Sequence, residues 1–206
     1  MKANTYNIFL EGNILKNLRI PLLLLLVFSI ISLSACSSLS NKKGEPVGNF
    51  TYTDENGKSF GMKDLKGKVW VANFIFTSCT TICPQLTYQM SELQKKAKKE
   101  GLKDVHFVSF SVDPEVDTPK RMKDYASHFQ PDFSTWHLLT GYAQKDIEKL
   151  ALDKFKELVK KPENDTQVVH GTSFYLINKK GEIIKDYSGG KNFKPEEIIK
   201  DLKALD

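Results

Sequence analysis

The run Val69-Trp70-Val71-Ala72-Asn73-Phe74-Ile75-Phe76 constrains this chain more than any other stretch. It is mostly apolar and rich in β-formers, and it does not alternate. A strand with two apolar faces needs cover on both sides, which is the pattern of a parallel sheet sandwiched by helices. The downstream residues supply that cover. From Pro84 onward Leu86, Met90, Leu93 and Ala97 recur at helical spacing, and Gly101 stops the helix. His106–Val112 reads as the next strand. Thr118–Phe129 reads as the next helix, with Asp117 or Thr118 as cap and Pro119 in its first turn. Trp136–Leu139 is a short strand, and Lys145–Val159 is amphipathic through Ile147, Leu150, Ala151, Phe155 and Leu158. Ser173–Asn178 and Glu182–Tyr187 form a hairpin around Lys179-Lys180-Gly181, and Pro195–Leu205 is a terminal helix. Upstream, Phe50–Thr53 and Ser59-Phe60 flank the turn Glu55-Asn56-Gly57-Lys58 as a first hairpin. This order gives an α/β fold with a mixed central sheet flanked by helices, an N-terminal β-hairpin, and a C-terminal hairpin plus helix.

At 206 residues, one domain with an appendage is expected, and the appendage is at the N-terminus. Ile20–Leu33 is a 14-residue apolar stretch broken only by Pro21, Ser29 and Ser32, with Lys16 and Arg19 before it. A membrane span needs about 20 residues, so this reads as the core of a signal peptide, although the stretch before it is long for one. It ends in Leu33-Ser34-Ala35-Cys36, followed by Ser37-Ser38. That ending resembles the lipobox of bacterial lipoproteins, whose cysteine is linked to diacylglycerol and becomes the mature N-terminus. The expected organisation is therefore a signal peptide over 1–35, a polar tether over 36–46 and a folded domain over 47–206. Cys36 would hold the chain on the extracytoplasmic face of the cell membrane, since two acyl chains anchor stably. The leader carries three of the 30 basic and one of the 25 acidic residues, so the +5 charge is partly its property. Elsewhere no Lys/Arg block is dense enough to follow a phosphate backbone, and Lys95, Lys96, Lys98 and Lys99 read as a solvated helix face. No nucleic-acid partner is expected.

With Cys36 lipidated, Cys79 and Cys83 are the remaining thiols, and they face an oxidising compartment. A disulfide across so short a step closes almost no loop and contributes little stability, so the pair points to chemistry. On one helical turn their α-carbons would lie ~6 Å apart, within disulfide range. Pro84 disfavours helical geometry at Cys83, which leaves Cys83 at the cap and Cys79 in the loop as the other placement. Either way a thiol sits near the positive end of a helix dipole, where thiolate is favoured. Copper ligation and thiol exchange both require thiolate.

Three segments in order carry a family resemblance: Cys79-Thr80-Thr81-Ile82-Cys83-Pro84, Asp113-Pro114-Glu115-Val116-Asp117-Thr118, and His170 ahead of Ser173-Phe174-Tyr175-Leu176. Spread over Val47–Asp206, they resemble the Sco/SenC family, the thioredoxin-like proteins that deliver copper to cytochrome c oxidase. The resemblance implies a thioredoxin-like fold and copper bound by Cys79, Cys83 and His170, with the two cysteines as a redox-active disulfide. It also implies a membrane anchor and, as partner, the copper-bearing subunit of cytochrome c oxidase, with a copper donor or a thiol reductant as further partners. The donor chemistry agrees: two soft thiolates select Cu(I), and an added imidazole also suits Cu(II). Of the other histidines, His106 starts a strand, His128 lies within a helix and His137 is in a strand, so all three read as surface or packed residues. His170 has small neighbours, Gly171, Thr172 and Ser173, that let it approach the cysteine loop. Asp113 and Asp117 read either as groups around the site or for partner docking, or as a turn with Asp117 capping the next helix; the sequence leaves both open. The alternative function is a thiol–disulfide oxidoreductase. Against it, three residues separate the cysteines where thioredoxin-type reductases have two, and Val169–Phe174 lacks their cis-proline.

Overall fold

The computed structural model describes Leu39, residues 42–163 and residues 165–206. The signal peptide, Cys36 and tether residues 37, 38, 40 and 41 lie outside the described residues, among which no helix is long and apolar enough to cross a membrane. In chain order the elements are β1 (Glu45–Pro46), β2 (Thr51–Thr53), β3 (Ser59–Gly61), β4 (Trp70–Ile75), α1 (Cys83–Lys99), β5 (His106–Ser111) and α2 (Pro119–Ser127). Then come β6 (Trp136–Leu139), α3 (Gln144–Leu150), a π-helical turn (Ala151–Phe155), β7 (Ser173–Ile177), β8 (Glu182–Ser188), a 3-10 turn (Gly190–Asn192) and α4 (Pro195–Leu205).

The apolar run does become a central strand buried at every position. The six-stranded sheet has the order β1-β8-β7-β4-β5-β6. β4 runs parallel to β5, with Trp70 opposite His106 and Ile75 opposite Ser111, and antiparallel to β7, with Trp70 opposite Ile177. The parallel half thus comes from strands joined through helices, and the antiparallel half from the C-terminal hairpin. This is the mixed α/β architecture expected of a thioredoxin-like chain. Trp70, Phe74, Phe107, Phe110 and Trp136 are fully buried around the sheet, each contributing about 2–3 kcal/mol by removal from water. A polar chain crosses the same strands: Trp136 Nε1 donates to Ser109 Oγ (3.1 Å), which donates to Asn73 Oδ1 (2.7 Å). These bonds lend the apolar core a fixed register.

The two rims of the sheet are covered to different extents, β1 pairing only with Glu182 and Ile183 of β8. Outside β8 lies β1, whose Pro46 has no N–H to offer a further strand. Outside β6 lies the end of the β2–β3 hairpin, where Thr53 and Thr140 exchange two backbone hydrogen bonds of 3.0 and 2.9 Å. The Glu55 carboxylate accepts the outward Leu138 N–H (3.1 Å).

Several expectations need correction. Glu45–Pro46, read as the end of the tether, pair with β8. The helix expected over Lys145–Val159 is α-helical only to Leu150; the π turn comes next and Lys156, at φ +56°, ends it. The wider turn keeps Phe155 in the core, with ring centroids 5.1 Å from Phe74 and 4.9 Å from Tyr175, and leaves Leu158 exposed. Thr118, not Asp117, caps α2 by accepting from Arg121 N (3.2 Å), and the helix stops at Ser127, so His128 lies just past it. Of the two placements left open for the cysteines, Cys83 is the first residue of α1 behind Ile82 as cap, and Cys79 lies in the preceding loop. Pro84 sits in the first turn, where a missing N–H costs nothing.

Candidate metal centre

β4 ends and β7 begins at the same end of the sheet, because the two strands are antiparallel neighbours. That topology brings the loop after β4 and the segment before β7 together across 87 positions of sequence: Cys83 Sγ lies 3.4 Å from His170 Nε2. Cys79 is 5% exposed and Cys83 fully buried. The Cys83 backbone N–H, at the open end of α1, donates to Cys79 Sγ (3.3 Å), and Thr81 Oγ1 stands 3.6 Å from the same sulfur. Both thiols are free. A shallow recess lined by Phe76, Thr81, Ile82 and Val168 opens over Cys79 and His170.

The two thiols differ electrostatically. Burial opposes a thiolate at Cys79, but hydrogen bonds from the Cys83 backbone, the Cys83 side chain and Thr81 outweigh it and lower the thiol below its ordinary value. Burial pushes the Cys83 thiol well up, and the adjacent Cys79 adds to this. Burial also lowers His170, which keeps the imidazole neutral with a lone pair free for a metal. Two sulfurs and a neutral imidazole suit a soft or borderline metal, copper among them. The arrangement is not fully closed: among the described residues the trio of potential ligands whose donor atoms all lie within 4.8 Å is Asp54, Glu55 and His137, not these three. In that other trio Glu55 is already engaged with Leu138 and Asn56, and His137 stacks on Phe60 at 4.0 Å, so the group closes the sheet rim.

The two aspartates left open by the sequence have separate partners. Asp117, fully buried, accepts from Thr77 N (3.2 Å), Thr77 Oγ1 (2.5 Å) and Ser111 Oγ (2.6 Å). Arg121 extends this grip, with Nε donating to Thr77 Oγ1 (2.6 Å) and Nη2 to Ser78 Oγ (3.0 Å). Asp117 therefore holds Thr77, and Arg121 holds both Thr77 and Ser78, the two residues before Cys79. Asp113 instead accepts from Lys161 Nζ (2.7 Å), which also reaches Glu115 (2.8 Å), and so ties down the segment leading to His170. Gln167 Nε2 donates to Ser78 O (3.4 Å), joining the two segments directly. None of Thr77, Ser111, Arg121, Lys161 or Gln167 stands out in the sequence, since isolated polar residues carry no local sign of a distant partner; the Asp113–Thr118 motif is the available pointer. The remaining histidines lie elsewhere. His106 Nε2 is 2.9 Å from Lys68 Nζ, and burial together with that lysine brings its pKa down to about 4. His137 is on β6, and His128 is exposed.

The family model SCO1/SenC matches residues 39–205. The chain is similar to a SCO1/SenC family lipoprotein from Bacillus anthracis str. Ames, with 52% identity and a TM-score of 0.78 over 82% of this chain and 99% of that one. It is also similar to BsSco, a member of the Sco family of cytochrome c oxidase assembly proteins in which a disulfide switch was identified (47% identity, TM-score 0.74, 81% and 96% covered). A third similarity is to copper-bound ScoI of Bradyrhizobium japonicum (32% identity, TM-score 0.64, 77% and 98% covered).

Proposed function

The chain belongs to the SCO1/SenC family, and on that premise we propose that it is a metallochaperone that carries copper to the dinuclear copper site of cytochrome c oxidase. Cys79, Cys83 and His170 hold the copper as cargo. The observation that carries this reading is the 3.4 Å approach of Cys83 Sγ to His170 Nε2, beside a Cys79 sulfur that accepts the Cys83 amide. A disulfide between Cys79 and Cys83 opens before copper binds, because a disulfide sulfur is a poor ligand beside a thiolate. A relative solved with copper bound and a disulfide switch identified in BsSco support both states of the site. Residues 1–35 act as signal peptide, 36–44 as tether and 45–206, from β1 onward, as the copper-binding domain; Cys36 carries the lipid on the extracytoplasmic face, as the similarity to a family lipoprotein supports. The test is metal content and visible absorption of the soluble domain from Asn41 onward after anaerobic reduction and copper addition. Stoichiometric copper with a thiolate-to-Cu(II) charge-transfer band is expected, and a reduced domain that retains no copper through gel filtration refutes the reading.

The contrast between a lowered Cys79 and a raised Cys83 favours a second reading, thiol–disulfide exchange. The Cys79 thiolate would attack a partner disulfide; Cys83 would then displace it, leaving a Cys79–Cys83 disulfide and a reduced partner. Reduction of a partner disulfide that survives His170→Ala, together with loss of copper retention that leaves oxidase assembly intact, selects this reading over the first.

A further inference from the structure

The segment carrying His170 leaves the π turn at Lys156, passes through a loop closed by Lys160 and Val169, and enters β7 at Ser173. Lys160 and Val169 exchange two backbone hydrogen bonds of 2.9 Å. At the entrance stands Glu157, a carboxylate 6% exposed that forms no ion pair among the described residues. One oxygen accepts the Gly171 N–H (3.0 Å), and the other accepts the Tyr175 hydroxyl (2.5 Å). Gly171 suits this approach because a Cβ there would fall 2.9 Å from the carboxylate carbon. A buried carboxylate without a cation is costly, and the π turn that aims it is a rare element frequent at functional sites. Its grip falls on the peptide directly after His170.

We propose that Glu157 is a positioning residue for His170: by fixing the Gly171 amide it sets how readily the imidazole joins the two sulfurs. The proposal rests on the copper reading above. The imidazole contacts Cys83 but the three donors are not yet within closing distance, so capture of copper by all three depends on where this segment is held. Half-buried Lys161 and Gln167 restrain it from farther off, and backbone bonds hold Val169 to Lys160 and Thr172 to Gly189, but Glu157 is the side chain that bonds the amide directly after His170. Two thiolates alone suffice for Cu(I), whereas Cu(II) needs the nitrogen. Loss of Glu157 should therefore act on one oxidation state.

The test uses the reduced soluble domain from Asn41 as wild type, Glu157→Ala, Glu157→Gln and Gly171→Ala. Cu(II) dissociation followed by the charge-transfer band, Cu(I) affinity by chelator competition, and hydrogen exchange of the Gly171 amide in the metal-free protein are measured on each. Groups that orient a ligand typically contribute 10–100-fold. Glu157→Ala is expected to release Cu(II) about tenfold faster or more and to speed Gly171 exchange by a similar factor, with Cu(I) affinity within about threefold of wild type. Glu157→Gln, whose amide oxygen still accepts from Gly171, should recover most of both losses, and Gly171→Ala should mimic the alanine. Wild-type Cu(II) retention in Glu157→Ala overturns the proposal, as does equal loss of Cu(I) and Cu(II). If Glu157→Ala does not fold, Gly171→Ala and Glu157→Gln decide the matter by the same criteria. A wild-type domain that binds no copper overturns the copper reading and the proposal together, and is told apart from failure of the proposal alone, in which wild type binds normally.

Discussion

Replacing Asp117 by alanine should destabilise the folded domain by about 3 kcal/mol. The carboxylate is fully buried and accepts from the Thr77 amide, the Thr77 hydroxyl and the Ser111 hydroxyl. Stranding a buried donor costs about 1–3 kcal/mol; the two hydroxyls can turn elsewhere and stay at the low end, while the amide cannot. Losing a buried charge returns part of the sum, since burial raises Asp117 above the usual carboxylate range against the bonds from Ser111 and Thr77. For a domain of this size 3 kcal/mol lowers Tm by about 10 °C, measurable by circular dichroism on the reduced protein. Asp117→Asn keeps the shape and one acceptor but turns an NH2 toward donors, for about 1–2 kcal/mol. The sign of its pH dependence is set by the raised pKa. The wild-type advantage is fully present below the ordinary aspartate value, about 3.9, and is lost as pH rises through the folded-state value. The asparagine variant should thus lag most near pH 4 and less at pH 8. An alanine variant melting within about 2 °C of wild type, or an asparagine deficit that grows with pH, would refute the reasoning.

Further outcomes are expected. His170→Ala should spare disulfide formation and two-thiolate Cu(I) binding but lose the Cu(II) charge-transfer band, while His106→Ala, His128→Ala and His137→Ala keep it; loss of the band in one of those three instead identifies a different ligand. Burial raises Glu157 to about 7, so wild-type stability at this residue is fully present below the ordinary glutamate value and lost as pH rises through about 7. Glu157→Gln should gain on wild type between pH 5 and pH 8 by up to about 3 kcal/mol in denaturant titrations. Thr118→Ala removes the α2 cap and should cost about 1 kcal/mol in the same titrations with copper binding unchanged. Cys36→Ala should abolish acylation, read as loss of detergent-phase partitioning and of an acylated N-terminal peptide by mass spectrometry.

How much the sequence disclosed depends on how far each signal reaches along the chain. The buried strand Trp70–Ile75, the helix that begins with Cys83 and the helix Pro195–Leu205 announce themselves through local composition and spacing. The π turn does not, because Leu150, Ala151, Phe155 and Leu158 fit an uninterrupted helical face. The face is broken by the packing of Phe155 against Phe74 and Tyr175, which lie on strands 81 and 20 positions away. The same holds at the candidate centre. Cys79 and Cys83 are visible as a pair and His170 only through a family pattern, while the division of labour between Asp113 and Asp117 depends on Lys161 and Thr77, contacts 48 and 40 positions apart that no local window contains.

The cover over the sheet rims bears on how copies of this chain behave beside one another. Chains anchored to a bilayer through Cys36, as proposed, share a two-dimensional space in which encounters between neighbours are frequent. An open strand edge would then be a template for pairing with the next copy and for aggregation. On one side β1 covers only Glu182 and Ile183 of β8, with Pro46 withholding a donor there and Lys42 Nζ holding the Ile184 carbonyl; on the other, Thr53 and Glu55 already occupy the outward amides of Thr140 and Leu138. Crowding at a surface then finds the β6 rim closed to strand pairing and the β8 rim blunted at its Glu182 end.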